Sequence, residues 1–116
     1  MENIIVDRSF DFAVRIVKVY KYLSGEQKEF VLSKQLLRSG TSIGANVSEA
    51  QRAQSMPDFA AKMNIALKEA NETDYWLRLL YKTSYITPSQ FDSINEDMTE
   101  LIKLLSAICK TSNSKK

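Results

Sequence analysis

Apolar side chains recur along this chain at alternating steps of three and four residues, the spacing of a helix that packs along one face. The period-two alternation of a half-buried strand is missing, and only three glycines and two prolines interrupt the pattern. Four such segments follow one another with short connections between them. The sequence therefore predicts an all-α fold, an antiparallel up-down-up-down four-helix bundle.

The first two predicted helices each show one apolar face. Helix one covers residues 9–24 and ends at Gly25, and its core face is Phe12, Ile16, Val19 and Leu23. Residues 26–29 form a short polar connection. Helix two is clearest over residues 35–49, with a core face of Leu36, Gly40, Ile43, Val47 and Ala50.

Capping residues mark the beginnings of the other two helices. Ser55 can cap helix three, where Pro57 and Asp58 suit the first turn. Its core face is the longest: Phe59, Met63, Ala66, Ala70, Thr73, Leu77 and Leu80. Thr87 and Gln90 predict a reciprocal capping box for helix four. Its core face is Phe91, Ile94, Met98, Leu101, Leu105 and Ile108.

Length and composition narrow the classes of protein. A chain of 116 residues with 44% apolar content is one globular domain, which we place at residues 1–110, followed by a frayed polar tail at 111–116. No apolar run is long enough for a membrane span and no signal peptide is evident, so we expect a cytoplasmic protein without membrane contact. The single cysteine, Cys109, fits a reducing compartment and a buried apolar position.

Helices two and three each carry a second stripe beside the core face. On helix two it is short and almost uncharged: Gln35, Ser39, Ser42, Asn46, Glu49 and Ala53. A solvated face would normally carry lysine, glutamate and arginine, so we expect another surface to pack on this stripe. On helix three, two carboxylates lie among large apolar side chains: Ile65, Glu69, Glu72, Trp76 and Leu79.

The stripe of helix three has two interpretations. It could be a partly solvated edge where the glutamates pair with Lys68, with Arg38 or with a neighbouring chain. It could instead be an oligomer interface with Trp76 as its anchor, in which the two carboxylates are satisfied across the interface. We favour the interface, because exposed tryptophan, isoleucine and leucine together are unusual on a monomer.

The sequence lacks the residue patterns of the usual catalytic, metal-binding and phosphate-binding sites. The chain has no histidine, which excludes Ser-His-Asp and Cys-His catalysis and the Glu-x-x-His pairs of dinuclear sites in helical bundles. We therefore predict no enzyme, no metal and no cofactor, and interpret Asn46 and Glu49 as side chains that fix helix register. Gly40 and Gly44 lack the Gly-Lys-Ser/Thr of a phosphate loop and predict close approach of another helix.

The charge is polarised although its sum is only +2. Helix one carries four candidate nucleic-acid contacts: Arg8, Arg15, Lys18 and Lys21. Helix four is acidic early: Asp92, Glu96, Asp97 and Glu100. An ordinary solvated face is the simpler interpretation of the basic run. Several copies in one assembly would multiply the cations and could hold RNA by effective concentration.

The run FxLxxQLLRSGTSIGANVSEA, with Ser55, Asp58-Phe59 and IALKEANE after it, resembles the four-helix-bundle family of 23S rRNA intervening-sequence proteins. The accessory variability determinants of diversity-generating retroelements are related to this family. The specific part, here termed the family motif, is Arg38, Ser39, Ser42, Ile43, Asn46 and Glu49. The resemblance implies a homo-oligomer, with pentameric rings characteristic of the group. In the retroelement members it implies partnership with a reverse transcriptase and its template RNA through a strongly basic surface.

The predicted function is a non-catalytic oligomeric bundle that acts as an RNA or ribonucleoprotein adaptor. The alternative is a protein-interaction scaffold that binds no nucleic acid. Steep salt dependence of RNA binding would distinguish the adaptor from the scaffold.

Overall fold

Four helices account for the regular structure in residues 3–115, the range that a computed structural model of the chain describes. They are α1 (Ile4–Gly25), α2 (Leu32–Ala50), α3 (Met56–Lys82) and α4 (Pro88–Lys115). Each helix packs against the next one in the chain, and α4 returns to pack against α1. The predicted all-α four-helix bundle is confirmed.

The core lies where the four predicted core faces meet. Ile16, Leu36, Leu77 and Leu105 are fully buried, one from each helix. Burial of a side chain of this size contributes about 1.5–3 kcal/mol, so the shared core is what holds the helices together. The predicted core residues at the edges are half-buried: Val19, Phe59, Phe91 and Ile108.

The predicted caps of α3 and α4 are confirmed. Ser55 Oγ accepts a hydrogen bond from the amide of Asp58 at 3.2 Å. Thr87 Oγ1 accepts from the amide of Gln90 at 3.1 Å, and Gln90 Oε1 accepts from the amide of Thr87 at 2.8 Å. Each bond satisfies an amide that has no partner inside its own helix.

The beginning of α2 depends on a buried carboxylate. Glu29 accepts hydrogen bonds from the amides of Val31 and Leu32, both at 3.1 Å, and from the amide of Ser33 at 2.7 Å. Burial alone would raise the pKa of Glu29, but these amide hydrogen bonds outweigh burial and lower it. The sequence predicts only a polar connection at this point, so the cap is a finding of the structure.

Two helices are longer than the sequence predicts. α1 begins at Ile4 instead of residue 9, because Ile5 is buried against the core. α4 continues to Lys115, through most of the predicted polar tail. Ser112 is buried there, and the amides of Asn64 in α3 and Asn113 are hydrogen-bonded at 2.7 Å. Residue 116 lies outside the described range.

The two glycines of α2 bring α1 close. A Cβ at Gly40 would lie 2.7 Å from two side-chain carbons of Ile16. A Cβ at Gly44 would lie 3.2 Å from the carbonyl oxygen of Ser9. The predicted close approach of another helix is confirmed, and that helix is α1.

Candidate functional site

The family motif connects α2 to α3. Ser39 and Ile43 are fully buried. The hydroxyl oxygens of Ser39 and Thr73, also buried, form a hydrogen bond of 2.9 Å between the two helices. Glu49 is exposed at the other end of α2, and its carboxylate lies 3.9 Å from the ammonium group of Lys62 in α3. Part of the second stripe of α2 therefore faces α3 of the same chain.

The other polar side chains of the family motif bond to their own helix. Ser42 Oγ donates to the carbonyl oxygen of Arg38 at 2.7 Å. Asn46 Nδ2 donates to the carbonyl oxygen of Ser42 at 2.9 Å. Both side chains are only half-buried. They satisfy their hydrogen bonds locally and keep this face of α2 short and uncharged.

Arg38 connects the family motif to the second stripe of α3. Its Nη1 lies 3.2 Å from Glu69 Oε2, and its Nη2 is hydrogen-bonded to Glu72. Trp76 Nε1 donates to Glu72 Oε2 at 3.1 Å. The hydrogen bonds from Trp76 and from Arg38 hold the pKa of Glu72 below its ordinary value, against the opposing effect of burial. Both glutamates thus have a partner within one chain, as the solvated-edge interpretation expected, and they do not need a neighbouring copy to satisfy them.

With the glutamates paired, the apolar part of the stripe remains available to a partner. Ile65 is 43% exposed, while Trp76 and Leu79 are half-buried. Tyr75, which sequence analysis did not single out, is 54% exposed and packs edge-to-face on Trp76 with ring centroids 5.1 Å apart. We term this surface the α3 patch: Ile65, Tyr75, Trp76 and Leu79.

The basic run of α1 faces the acidic part of α4. Arg8 forms an ion pair with Glu100. Arg15 Nη1 lies 2.6 Å from Asp97 Oδ2, and the guanidinium also donates to the carbonyl and hydroxyl oxygens of Ser93. Two of the four candidate nucleic-acid contacts are therefore engaged inside the molecule. The basic residues of α1 and the acidic residues of α4 are therefore partly the two partners of ion pairs between these helices.

Lys18 and Lys21 are the other two candidates. Both are exposed, and within residues 3–115 no carboxylate lies within 4 Å of either ammonium group. Lys18 lines an open groove of about 410 Å³ between the C-terminal half of α1 and the beginning of α4. The groove has apolar walls that include Val19 and Ile86.

Three further features of the described part of the chain are its potential metal-ligating side chains, its cysteine and the hydropathy of its helices. Within residues 3–115 no group of three or more His, Cys, Asp and Glu side chains could hold a metal ion. Burial raises the pKa of the Cys109 thiol, which makes Cys109 a weak nucleophile. None of the helices of residues 3–115 is long and apolar enough to cross a membrane.

The family model for 23S rRNA-intervening sequence proteins matches residues 1–107. The chain belongs to this family. The resemblance inferred from the family motif is confirmed, and the motif acquires a structural meaning in this member of the family, since it fixes α2 against α3.

A solved member of a similarly described family has the same fold. The crystal structure of a protein with unknown function from the S23 ribosomal protein family of Bacteroides thetaiotaomicron is 65% identical in sequence, with a TM-score of 0.90. The match covers 91% of this chain and 98% of that one. No match was found among curated proteins.

Proposed function

We propose that this member of the intervening-sequence protein family is a non-catalytic homo-oligomer that acts in the cytoplasm as an adaptor for RNA or a ribonucleoprotein. The observation that carries the proposal is the pair of exposed lysines, Lys18 and Lys21, that have no carboxylate partner among residues 3–115. Free ammonium groups are available to phosphates, whereas Arg8 and Arg15 would first have to leave Glu100 and Asp97. The description of the family, which refers to ribosomal RNA, supports this choice of partner.

Self-association would raise the affinity of Lys18 and Lys21 for RNA. Two cations on one chain bind phosphate weakly, whereas copies held together present them repeatedly and raise the effective concentration at the RNA. The contact between copies that we propose uses Ile65, Glu69, Glu72, Trp76 and Leu79, with Trp76 as anchor. A pentamer is the assembly that the family resemblance suggests. A light-scattering mass of one chain at micromolar concentration would contradict self-association.

Titration of a fluorescently labelled structured RNA, followed by anisotropy at several salt concentrations, tests the adaptor. The wild-type protein should bind with an affinity that falls steeply as salt rises, because phosphate contacts release counterions. The double variant Lys18→Glu/Lys21→Glu should lose binding and keep its helical circular dichroism. Arg8→Gln should weaken binding less than Lys18→Gln does, since Arg8 is engaged by Glu100.

A matched control uses two exposed lysines of α4, in the double variant Lys103→Glu/Lys110→Glu. It changes the net charge by the same amount and should retain most of the RNA binding. Equal losses in the two double variants would mean that only overall charge matters, and absence of wild-type binding near physiological salt would rule out the adaptor.

The second candidate function is a protein-interaction scaffold. The ion pairs of Arg8 and Arg15 with α4 favour it, because they reduce the positive charge that α1 presents to a nucleic acid. For a scaffold, the Lys18→Glu/Lys21→Glu variant should bind its protein partner as well as the wild type does. That result, together with no RNA binding by the wild type, would select the scaffold.

A further inference from the structure

We propose that the outer face of α1 is the second half of the contact between copies, and that it receives the α3 patch of a neighbouring copy. This inference rests on the proposed function, because it assumes that the chain self-associates. The face of α1 in question, termed the α1 patch, consists of Val6, Phe10, Ala13, Val14 and Val17.

The α1 patch is a continuous apolar surface. Phe10 is 66% exposed and Val14 is 41% exposed, and the other members are half-buried. Single exposed apolar residues are ordinary, but a row of them along one helix face marks an interaction site. The adjoining side of α2 has short side chains at Thr41 and Ala45, which leave room beside the patch.

The two patches lie on different sides of α2. Within residues 3–115, α1 and α3 both pack against α2 and lie diagonally across the bundle, with no Cα atoms of the two helices within 8 Å of each other. A contact that joins the α1 patch of one copy to the α3 patch of the next is therefore heterologous. Because both patches adjoin the same helix, successive contacts turn in the same direction with α2 on the inner side, which is the arrangement that a ring requires. The short side chains of α2 suit a crowded inner position.

The surface that packs on the α1 patch can be identified from the residues of α1 and α3 that lie at the same height along the bundle. Gly44 of α2 lies against Ser9 of α1, and Ser39 of α2 is bonded to Thr73 of α3. Gly44 lies five residues after Ser39, and α2 and α3 run in opposite directions. The residue of α3 at the height of Gly44 is therefore five residues before Thr73, which is Lys68. Residues near Ser9 on α1 are therefore at about the height of Lys68 on α3.

The charges at this height are opposite in sign. Asp7 and Asp11 flank Phe10 on α1, and both are exposed. Lys68 is exposed between Ile65 and the rest of the α3 patch. None of the three has an ion-pair partner within 4 Å among residues 3–115. When the copies stand side by side, the two carboxylates come opposite the ammonium group, which favours this pairing over contact of α1 with α1.

Cross-linking of engineered cysteines tests the pairing. Phe10→Cys, Lys68→Cys and the double variant are each treated with a short bismaleimide, and wild type, whose one cysteine is buried, is the blank. The heterologous contact should give a ladder of two or more linked chains for the double variant only. Cross-linked dimers of either single variant would mean a contact between identical faces and would overturn the pairing.

Light scattering separates this inference from the proposed function. Phe10→Glu should reduce the mass to one chain with little change in thermal midpoint, because Phe10 is mostly exposed. Ile4→Glu, at a position 58% exposed on another side of α1, should keep the wild-type mass. A wild-type mass of one chain would remove both proposals. An oligomeric wild type whose mass Phe10→Glu leaves unchanged would remove only the role of α1.

Discussion

At Gly40, the absence of a methyl group sets the distance between α1 and α2. The carbons of Ile16 that a Cβ would meet are branch carbons of a fully buried side chain, and a β-branched side chain cannot turn away easily. Ser9 approaches Gly44 with backbone atoms, which can yield only if the helix moves. The glycines of α2 thus have a packing role. Close contact with α1 accounts for their small size, and no bound ligand is needed to explain it.

Gly40→Ala is therefore expected to destabilise the protein. Overpacking of a core costs about 1–3 kcal/mol, which exceeds the gain of up to about 1 kcal/mol from placing alanine in a helix. Thermal or urea unfolding followed by circular dichroism measures the difference. Gly25→Ala is the control, because a Cβ there meets nothing within 4 Å; it should be neutral or slightly stabilising. An equal rise in stability for both variants would contradict the close packing at Gly40.

At the scale of the element, α2 depends on its cap at Glu29. The helix has no acidic residue in its first turn, so the carboxylate of Glu29 supplies the negative charge that the positive end of the helix dipole favours. The same carboxylate satisfies three amides that have no acceptor inside the helix. The family motif lies on this helix, and its position against α3 relies on a well-formed beginning of α2.

Glu29→Gln should lower the free energy of unfolding at neutral pH by about 1–2 kcal/mol, the usual cost of a lost cap. The folded pKa of Glu29 is lowered, so its stabilising effect is present above the unfolded pKa and is lost as pH falls through the folded pKa. Urea unfolding should be measured from neutral pH down to below the folded pKa of Glu29. The free energies of unfolding of the wild type and the variant should converge at low pH. Glu26→Gln, in the same connection but exposed, should change stability little. A pH-independent difference for Glu29→Gln would contradict the role of its charge.

At the scale of the whole molecule, the bundle leaves apolar surface on two of its sides. The α3 patch is held in place from within the chain, since Arg38 and Glu72 fix the position of Trp76. A tryptophan whose rotamer is already fixed loses little entropy when a partner covers it, which suits an interface anchor.

Removal of the α3 patch should dissociate the assembly. Ile65→Glu places a charge at a position 43% exposed, so the fold should persist while the light-scattering mass falls to one chain. Trp76→Ala should lower the mass as well, and Trp76→Phe should largely keep it. Val31→Glu, at a position 71% exposed in the connection before α2, is the control and should leave the mass unchanged. An unaltered mass for both Ile65→Glu and Trp76→Ala would exclude the α3 patch as an interface.

The sequence by itself determined the number of helices and their core faces, although not the beginning of α1 or the end of α4. The periods of three and four residues, the serine cap at Ser55 and the capping box at Thr87 are local signals, and local signals are enough to define helices. The family motif likewise identified the family, because its small and polar residues are unusual in a helix that packs. The cap at Glu29 was missed because the glutamate lies outside the standard capping positions and reaches α2 only through a turn in the connection.

Only the tertiary structure decided which charges and which apolar side chains are free. Arg15 and Lys18 belong to the same basic run of sequence, yet Arg15 is bound to Asp97 and Lys18 is exposed. Ile4 and Ile5 are equally apolar, yet Ile5 is buried and Ile4 is mostly in solvent. The rotation of α1 against α2 and α4 sets these differences. That rotation is fixed by contacts between residues far apart in the chain, such as Ile16 with Gly40, which no local pattern contains.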